Sequence, residues 1–412
     1  MSTDTQKKIL FLDAYFEPEQ TAYTHLENDL IECFANNGFG ITIICPQPTR
    51  GVTNEERKDF QKIETCFNGK VVVKRFRCLK ERKSVFLRAF RYYIAFIKTY
   101  RYAKKEKDID VIFCNSTPPI QGLVATKLKK YYFKKYKRSV PFVFNLQDLF
   151  PESMVNTGIS KKKSITYKIG ESIAKKIYNN ANQIITISNS FKDELIKKGI
   201  DNNKISVVYN WADLGKISSI ERKNNKLFDE LHIDRKEKIV CYAGNFGYAQ
   251  DLDAIVKITK RFENSKIKFI FFGGGPLFDT YSKKIGCLSN ALVFPLMPQD
   301  RISEVYSLGD VYLISCKKGL GDNSFPSKIW SILACNKYIV GIYDEISEVG
   351  SFLLDNKCGC CVDQENVEKQ FNSIMNGLCV KNDFRAVVSL FGDKEKATAN
   401  YLESINKSLN LV

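Results

Sequence analysis

Lys328 stands where the chain could most readily handle an anion. Residues 319–340 read GLGDNSFPSKIWSILACNKYIV, a glycine-rich polar loop that passes through Pro326, Ser327 and Lys328 into a short apolar run. Backbone N–H groups at the start of a helix lack intrahelical partners and lie at the positive end of the peptide dipoles. An ammonium group there would complete an anion site. The same residues also read as a capped helix with a solvent-facing lysine, and the stretch alone fits both.

Two more strand–glycine–helix junctions follow the same plan. GNFGYAQDLD supplies Gly244, Asn245 and Gly247, and FFGGGPLFDTY supplies Gly275. Glycine either lets backbone approach a phosphate closely or merely makes a tight turn. All three junctions fall in the second half of the chain, which suits one domain that holds a nucleotide diphosphate. In the first half, FNLQDLFPES places Gln147, Asp148 and Glu152 at the end of an apolar run. Carboxylates four apart could serve as acid and base, or could cap a helix. His25 and His232 are the only histidines. Neither has the Ser or Cys neighbours of a nucleophilic triad. Asp108 with Asp110 precedes a strand, and Asp251 with Asp253 opens a helix, so both pairs read as structural. Cys358, Cys360 and Cys361 lack a second ligand pair at zinc-finger spacing, and no metal site is expected.

These residues need a scaffold, and 412 residues suffice for two domains. KKILFLDAYF, FGITIICPQP, KVVVKRF, DVIFCNS, PFVFNLQDL, QIITIS and ISVVYNW form a first series of strands, separated by helical stretches. After a charged stretch at about 212–237 come KIVCYAGN, KFIFFGGG, ALVFPLM, DVYLISC and KYIVGIY. Near-continuous apolar strands alternating with helices predict parallel sheets covered on both faces. The fold class is therefore α/β: two facing Rossmann-like, doubly wound domains, over 1–212 and 213–392. A terminal amphipathic helix over 393–412 is expected to pack back toward the first domain. Ligands of such sheets bind beyond the carboxyl ends of the strands.

The formal net charge is +17. That excess favours anionic partners, whether a phosphorylated substrate, a membrane surface or nucleic acid. In SVFLRAFRYYIAFIKTYRYAKK, Phe86, Leu87, Phe90, Tyr93, Ile94 and Ile97 recur at helical spacing among Arg88, Arg91, Lys98 and Arg101. A basic aromatic helix of this kind suits an anionic membrane interface, or else turns its apolar stripe to the core. No apolar run is long enough to span a bilayer, and the thirteen scattered cysteines suit reduced, buried thiols. The expected location is the cytoplasm, at the inner face of the cell membrane.

NSTPPIQGL, FNLQDLFPESMVNTG, ITISNSFKDELIKKGI, ISVVYNWADL, CYAGNFGYAQDLD, FFGGGPL and FPSKIWSILA, in that order, resemble glycosyltransferase family 4. This is the retaining family of GT-B architecture, and the likeness is to its bacterial surface-polysaccharide branch, with fucosamine and colanic-acid-type transferases. The resemblance implies a nucleotide-sugar donor, UDP-linked, on the C-terminal domain. It implies a lipid-linked (polyprenyl diphosphate) or glycan acceptor on the N-terminal one, retained anomeric configuration and no required metal. Carried over by residue, Gly244, Asn245, Gly247, Gly275, Ser327 and Lys328 serve the donor diphosphate. Asn323 and Ser331 stand where relatives carry acidic donor-binding residues, so neither carboxylate is present. Asn245 and the neighbourhood of Gln250 replace an arginine–lysine pair. Gln147, Tyr15 and Thr21 fall on the acceptor side, with Gln147 where many relatives have histidine and Thr21 and Ala22 where they have paired glycines. Lys328, Asp148 and Glu152 are the candidate catalytic groups.

Two other functions fit parts of the pattern. A basic two-domain protein could hold a nucleotide or nucleic acid without chemistry, although no nucleic-acid motif is present. A nucleotide-sugar epimerase would need G-x-G-x-x-G after the first strand, and DAYFEPEQTAYT lacks it.

Overall fold

The computed structural model describes residues 6–19, 21, 23–80, 85–156, 158 and 160–411, with the side chains of Val85 and Phe86 left aside. Ala22 and the Phe86 side chain, both singled out above, lie outside the described residues. The chain forms two compact units. One comprises Met1–Val155, Ile159–Val208 and Glu395–Val412; the other comprises Asn156–Gly158 and Tyr209–Lys394.

The first unit is built on an eight-stranded sheet. Its strands are β1 (Lys8–Leu12), β2 (Gly40–Pro46), β3 (Ile63–Cys66), β4 (Val71–Phe76), β5 (Val111–Asn115), β6 (Phe142–Leu146), β7 (Gln183–Thr186) and β8 (Ile205–Val207). Their spatial order is β3-β4-β2-β1-β5-β6-β7-β8, and every pairing is parallel except β3 with β4. β5 and β6 are buried at every position, as strands covered on both faces must be. The terminal helix Lys394–Asn410 belongs to this unit from Glu395 onward.

The second unit holds β9 (Lys238–Asn245), β10 (Ile267–Gly274), β11 (Ala291–Pro295), β12 (Val311–Ser315), β13 (Tyr338–Ile342) and β14 (Gly359–Val362). They are all parallel, in the order β11-β10-β9-β12-β13-β14. This is the doubly wound dinucleotide-fold order, whose topological switch point falls between β9 and β12.

Two strands escaped the sequence reading. β3 is a half-exposed edge strand, and β14 is the short segment GCCV, formed from the cysteine cluster. Cys358 and Cys361 are buried against the sheet, and no group of three metal-ligating side chains occurs among the described residues. The charged stretch at 212–237 is not an open linker. Leu227, Phe228 and Ile233 are buried, while Arg222 pairs with Asp310 and Arg235 with Asp229. Of the D-x-D pairs, Asp110, Asp251 and Asp253 serve the fold, and Asp108 is exposed. Asp110 accepts from Lys8 N and pairs with Arg138. Asp251 caps the helix Leu252–Arg261 through Ala254 N, and Asp253 pairs with Lys284.

The basic helix Val85–Ala103 is inside-out relative to its apolar spacing. Leu87, Phe90 and Tyr93 are 42%, 54% and 57% exposed, whereas Arg91 is 1% exposed and lies on the inner face with Ala95 and Thr99. Burial of that guanidinium is compensated by Leu79 O at 3.0 Å, the Tyr15 hydroxyl at 3.4 Å and Thr49 Oγ1 at 3.3 Å. Among the described residues, no helix is long and apolar enough to cross a membrane.

Candidate functional site

The loops leaving β9 and β12 meet at the switch point of the second unit. Asp251 N donates to Ser315 Oγ at 3.0 Å and Lys317 N to Ala249 O at 2.8 Å, which binds the two loops together. Lys328, at the start of the helix Lys328–Ala334, reaches back to the end of β9. Its Nζ donates to Ala243 O at 3.3 Å and lies 4.3 Å from the centroid of the Tyr242 ring. Among the described residues no carboxylate pairs with it. Burial pushes the Lys328 ammonium down to about 8.

The glycines at this junction are explained first by the protein's own side chains. Gly244 has φ +142°, and a Cβ there would sit 3.1 Å from Lys328 Nζ. A Cβ on Gly247 would come within 2.5 Å of Asn245 Nδ2, and one on Gly275, at φ +108°, within 2.0 Å of Asn245 Oδ1. The glycines thus seat one amide and one ammonium at the strand ends. Gln250 Oε1 accepts from Gly247 N at 3.1 Å and closes the turn.

The Lys328–Ala334 helix has seven residues, and Ser327 makes no capping hydrogen bond with it. A helix this short develops little macrodipole. Charge at the site therefore rests on Lys328 rather than on the helix end, a change from the sequence expectation. Asn323 closes the turn Gly321–Asn323 and is half-buried. Ser331 is buried on the inner side of the helix, which places it away from an exposed donor surface.

In the first unit the switch point lies between β1 and β5, and a buried polar chain fills it. Asp13 and Glu27 are both buried, and Asn115 Nδ2 donates to Glu27 Oε1 at 2.6 Å. Asn145 Nδ2 donates to Asn115 Oδ1 at 2.8 Å. Asn145 Oδ1 in turn accepts from the Tyr401 hydroxyl at 2.9 Å and from Gln147 Nε2 at 3.0 Å. Gln147 is thereby held at the strand edge, half-buried. Burial pushes the Asp13 carboxyl up to about 6, while burial and then Asp13 hold Glu27 well above the ordinary carboxylate range. Two such acids side by side share a proton.

That pair has a stability consequence. The unfolded carboxyls titrate at 3.8 and 4.5, and both folded values are raised. The contribution is complete below those unfolded values and is lost as pH rises through about 6, where Asp13 ionises in the fold. The melting temperature should therefore fall between pH 5 and pH 8. Glu27→Gln, a neutral donor at every pH, should flatten that fall by about 3 °C or more. An identical slope in both proteins, followed by calorimetry across that range, would show that the fold does not hold the proton.

Other acceptor-side expectations change. Tyr15 is buried, with the Arg50 guanidinium 4.0 Å above its ring and Arg50 Nη2 donating to its hydroxyl at 3.0 Å. It is a packing residue. Thr21 exchanges a 2.8 Å hydroxyl contact with Thr24 at the entry to the helix Thr24–Asn36. Glu152 Oε1 accepts from Lys198 Nζ at 2.6 Å and from the Tyr167 hydroxyl at 3.1 Å, while its Oε2 is buried with no hydrogen-bond partner among the described residues. Asp148 is exposed, with Thr117 Oγ1 3.3 Å from its Oδ2.

Comparison with known proteins agrees with this layout. The profile described as Glycosyltransferase Family 4 matches residues 28–216, and that described as Glycosyl transferases group 1 matches residues 223–378. The chain is 25% identical over 244 residues to the putative colanic acid biosynthesis glycosyl transferase WcaI of Escherichia coli K12, covering 57% of this chain and 60% of that protein. It is 22% identical over 267 residues to the probable glycosyltransferase WbjE of Pseudomonas aeruginosa, covering 64% and 65%. The aligned stretch thus spans less than two thirds of either relative. Among solved structures, Anabaena HepE in complex with UDP and glucose superposes with a TM-score of 0.67 at 14% identity, over 97% of this chain and 99% of that one. Sucrose-phosphate synthase of Thermosynechococcus elongatus gives 0.77 at 11%, over 98% and 100%. The two profiles fall on the two α/β units in turn, and the structural neighbours share the GT-B fold. With its anion-ready junction on the second unit, the chain belongs to glycosyltransferase family 4.

Proposed function

We propose that the protein transfers a sugar from a nucleoside diphosphate sugar, UDP-linked, to a lipid-linked or glycan acceptor in bacterial surface-polysaccharide synthesis. The observation that carries this reading is the Lys328 ammonium. It is held beside the Gly244 turn with no carboxylate partner among the described residues, at the switch point where a doubly wound sheet binds its ligand. HepE, a structural neighbour, is complexed with UDP-glucose, and WcaI is named for colanic acid biosynthesis. Both names support a nucleotide-sugar donor and a polysaccharide product for this chain.

The bond from the sugar's anomeric carbon to the diphosphate breaks, and a bond to the acceptor hydroxyl forms on the same face. The acceptor proton passes to the leaving phosphate oxygen. No protein nucleophile is required, and the configuration is retained. Lys328 neutralises the charge that grows on the departing diphosphate, where a fixed donor lowers the barrier most. In this reading a lysine takes the place that a metal ion could otherwise fill. Gln147, and Asp148 beside it, orient the acceptor. The assay is incubation of the protein and a bacterial membrane fraction with a panel of radiolabelled nucleotide-sugars. Labelled lipid or glycan product is the expected result; its absence across the panel would overturn the assignment.

The outward face of the helix Val85–Ala103 supports docking at an anionic membrane from the cytoplasmic side. Leu87, Phe90 and Tyr93 project among Arg88, Lys98 and Arg101. The helix Ile120–Tyr136 packs between it and the helix Ile165–Asn180. The latter exposes Ile165 and Ile169 beside Lys161, Lys162, Lys163 and Lys168. Apolar side chains ringed by cations bind anionic lipid. Changing Leu87, Phe90 and Tyr93 together to serine should weaken partition into phosphatidylglycerol-containing vesicles by about tenfold or more. Unchanged co-sedimentation would remove this helix from the membrane contact.

A further inference from the structure

The loop leading to Lys328 is fastened from one side by two adjacent residues, Tyr343 and Asp344. The sheet explains their position. β12 and β13 are parallel neighbours, with Val311 opposite Tyr338 and Ser315 opposite Ile342, so the chain leaving β13 emerges alongside the chain leaving β12. Asp344 accepts from Gly319 N through both oxygens, at 3.0 and 2.9 Å, and from Gly321 N through Oδ2 at 2.9 Å. Gln364 Nε2 steadies the same carboxylate at 3.4 Å and donates to Cys316 O at 2.8 Å. The Tyr343 hydroxyl, on a fully buried ring, lies 3.3 Å from Gly321 O, 3.2 Å from Ser324 O and 2.9 Å from Ser324 Oγ. One junction thus takes up the loop's N–H groups with a carboxylate and meets its carbonyls with a phenol.

The glycines confirm that this fit is tight. Gly319 has φ +78°, a conformation that L residues seldom adopt, although nothing crowds its Cβ position. At Gly321 a Cβ would lie 2.9 Å from Asp344 Oδ2 and 3.1 Å from Ser347 Cβ. Gly321 is therefore glycine because the carboxylate approaches its backbone. Three residues beyond Ser324 the chain reaches Ser327 and Lys328.

We infer that Asp344 is a positioning residue for the nucleoside diphosphate site: it fixes the 319–324 loop, and through it the approach of Ser327 and Lys328 to the donor. The inference rests on the donor reading given above, and it predicts a sign that simple electrostatics does not. Removing a negative charge near a bound anion should tighten binding. If Asp344 acts by shaping the loop, its removal should weaken binding instead.

Calorimetric titration of the 412-residue protein with UDP separates these outcomes. Asp344→Asn keeps the volume but turns an amide donor toward Gly319 N or Gly321 N, and should raise the Kd for UDP by about tenfold, the scale of one charge-assisted hydrogen bond. Gly321→Ala, which displaces the carboxylate from the other side, should give the same direction. In transfer assays the donor KM should rise while the acceptor KM stays at the wild-type value, a split that general loss of folded protein would not produce. Wild-type or tighter UDP affinity in Asp344→Asn overturns the inference while leaving the donor reading intact. A folded wild-type protein that fails to bind UDP overturns both. Should Asp344→Asn melt early, the Gly321→Ala titration decides alone.

Discussion

Lys328→Ala should lower sugar transfer by about 10²- to 10³-fold, the usual loss on removing one preorganised donor from a developing negative charge. The fold should tolerate the change. Lys328 makes one backbone contact, at 3.3 Å to Ala243 O, and its burial already disfavours the charged form. The melting temperature should therefore stay within about 2 °C of wild type, because little stabilising contact is removed. The same lysine sets a pH limit. With the ammonium titrating at about 8, the charged form prevails below that value and is lost above it. The donor kcat/KM should fall about tenfold per pH unit on the alkaline side, since that profile reports the free enzyme. Lys328→Arg, permanently charged, should lose that alkaline limb whatever its absolute rate. Near-normal turnover in Lys328→Ala, or an alkaline limb that persists in Lys328→Arg, would transfer the role to another group.

Trp330 carries the largest stability effect. It is fully buried two residues after Lys328, stacked on Phe325 at 5.7 Å and 18°, edge-on to Phe352 at 5.4 Å and 5.6 Å from Tyr209. Gly392 lies so close that a Cβ there would fall 2.2 Å from the indole. Trp330→Ala should cost about 3–5 kcal/mol, the range for removing a large aromatic from a packed interior. For a unit of this size that is a drop in melting temperature of about 6–20 °C. Trp330→Phe, which refills most of the cavity, should recover more than half of it. A loss below 2 °C for Trp330→Ala would mean that the cluster collapses to fill the space. Because Phe325 belongs to the segment before Ser327, the alanine variant should also weaken nucleotide binding.

Much of the fold was legible because β5, β6, β9, β10 and β12 are near-continuous apolar runs, which two-sided burial demands. β3 was missed because an edge strand of sequence IETC, half in solvent, has no such signature. β14 was missed because four residues of GCCV say more about sulfur than about strands. At the site, Lys328 was legible because the glycine-rich loop and helix that carry it are contiguous in sequence, although the Ala243 carbonyl that its ammonium meets is 85 residues away. Asp344, Glu27 and Asn145 were not, since their partners are 25, 88 and 256 residues away. The helix Val85–Ala103 shows the limit of periodicity. Its spacing was read correctly, but the side facing inward was decided by Tyr15, Thr49 and Leu79, which only the fold brings to Arg91.

The ownership of the last helix bears on how the chain is made. Asn145 receives the Tyr401 hydroxyl, so one wall of the first unit is supplied by residues that are synthesised after the second unit. While residues 209–394 are being synthesised, for about 10–40 s at bacterial elongation rates, β5 and β6 wait beside an open groove with polar groups exposed. The earlier half can then close only after the later half has been synthesised. A nascent chain arrested near residue 390 would present an unfinished first half to proteases, however well the second had matured.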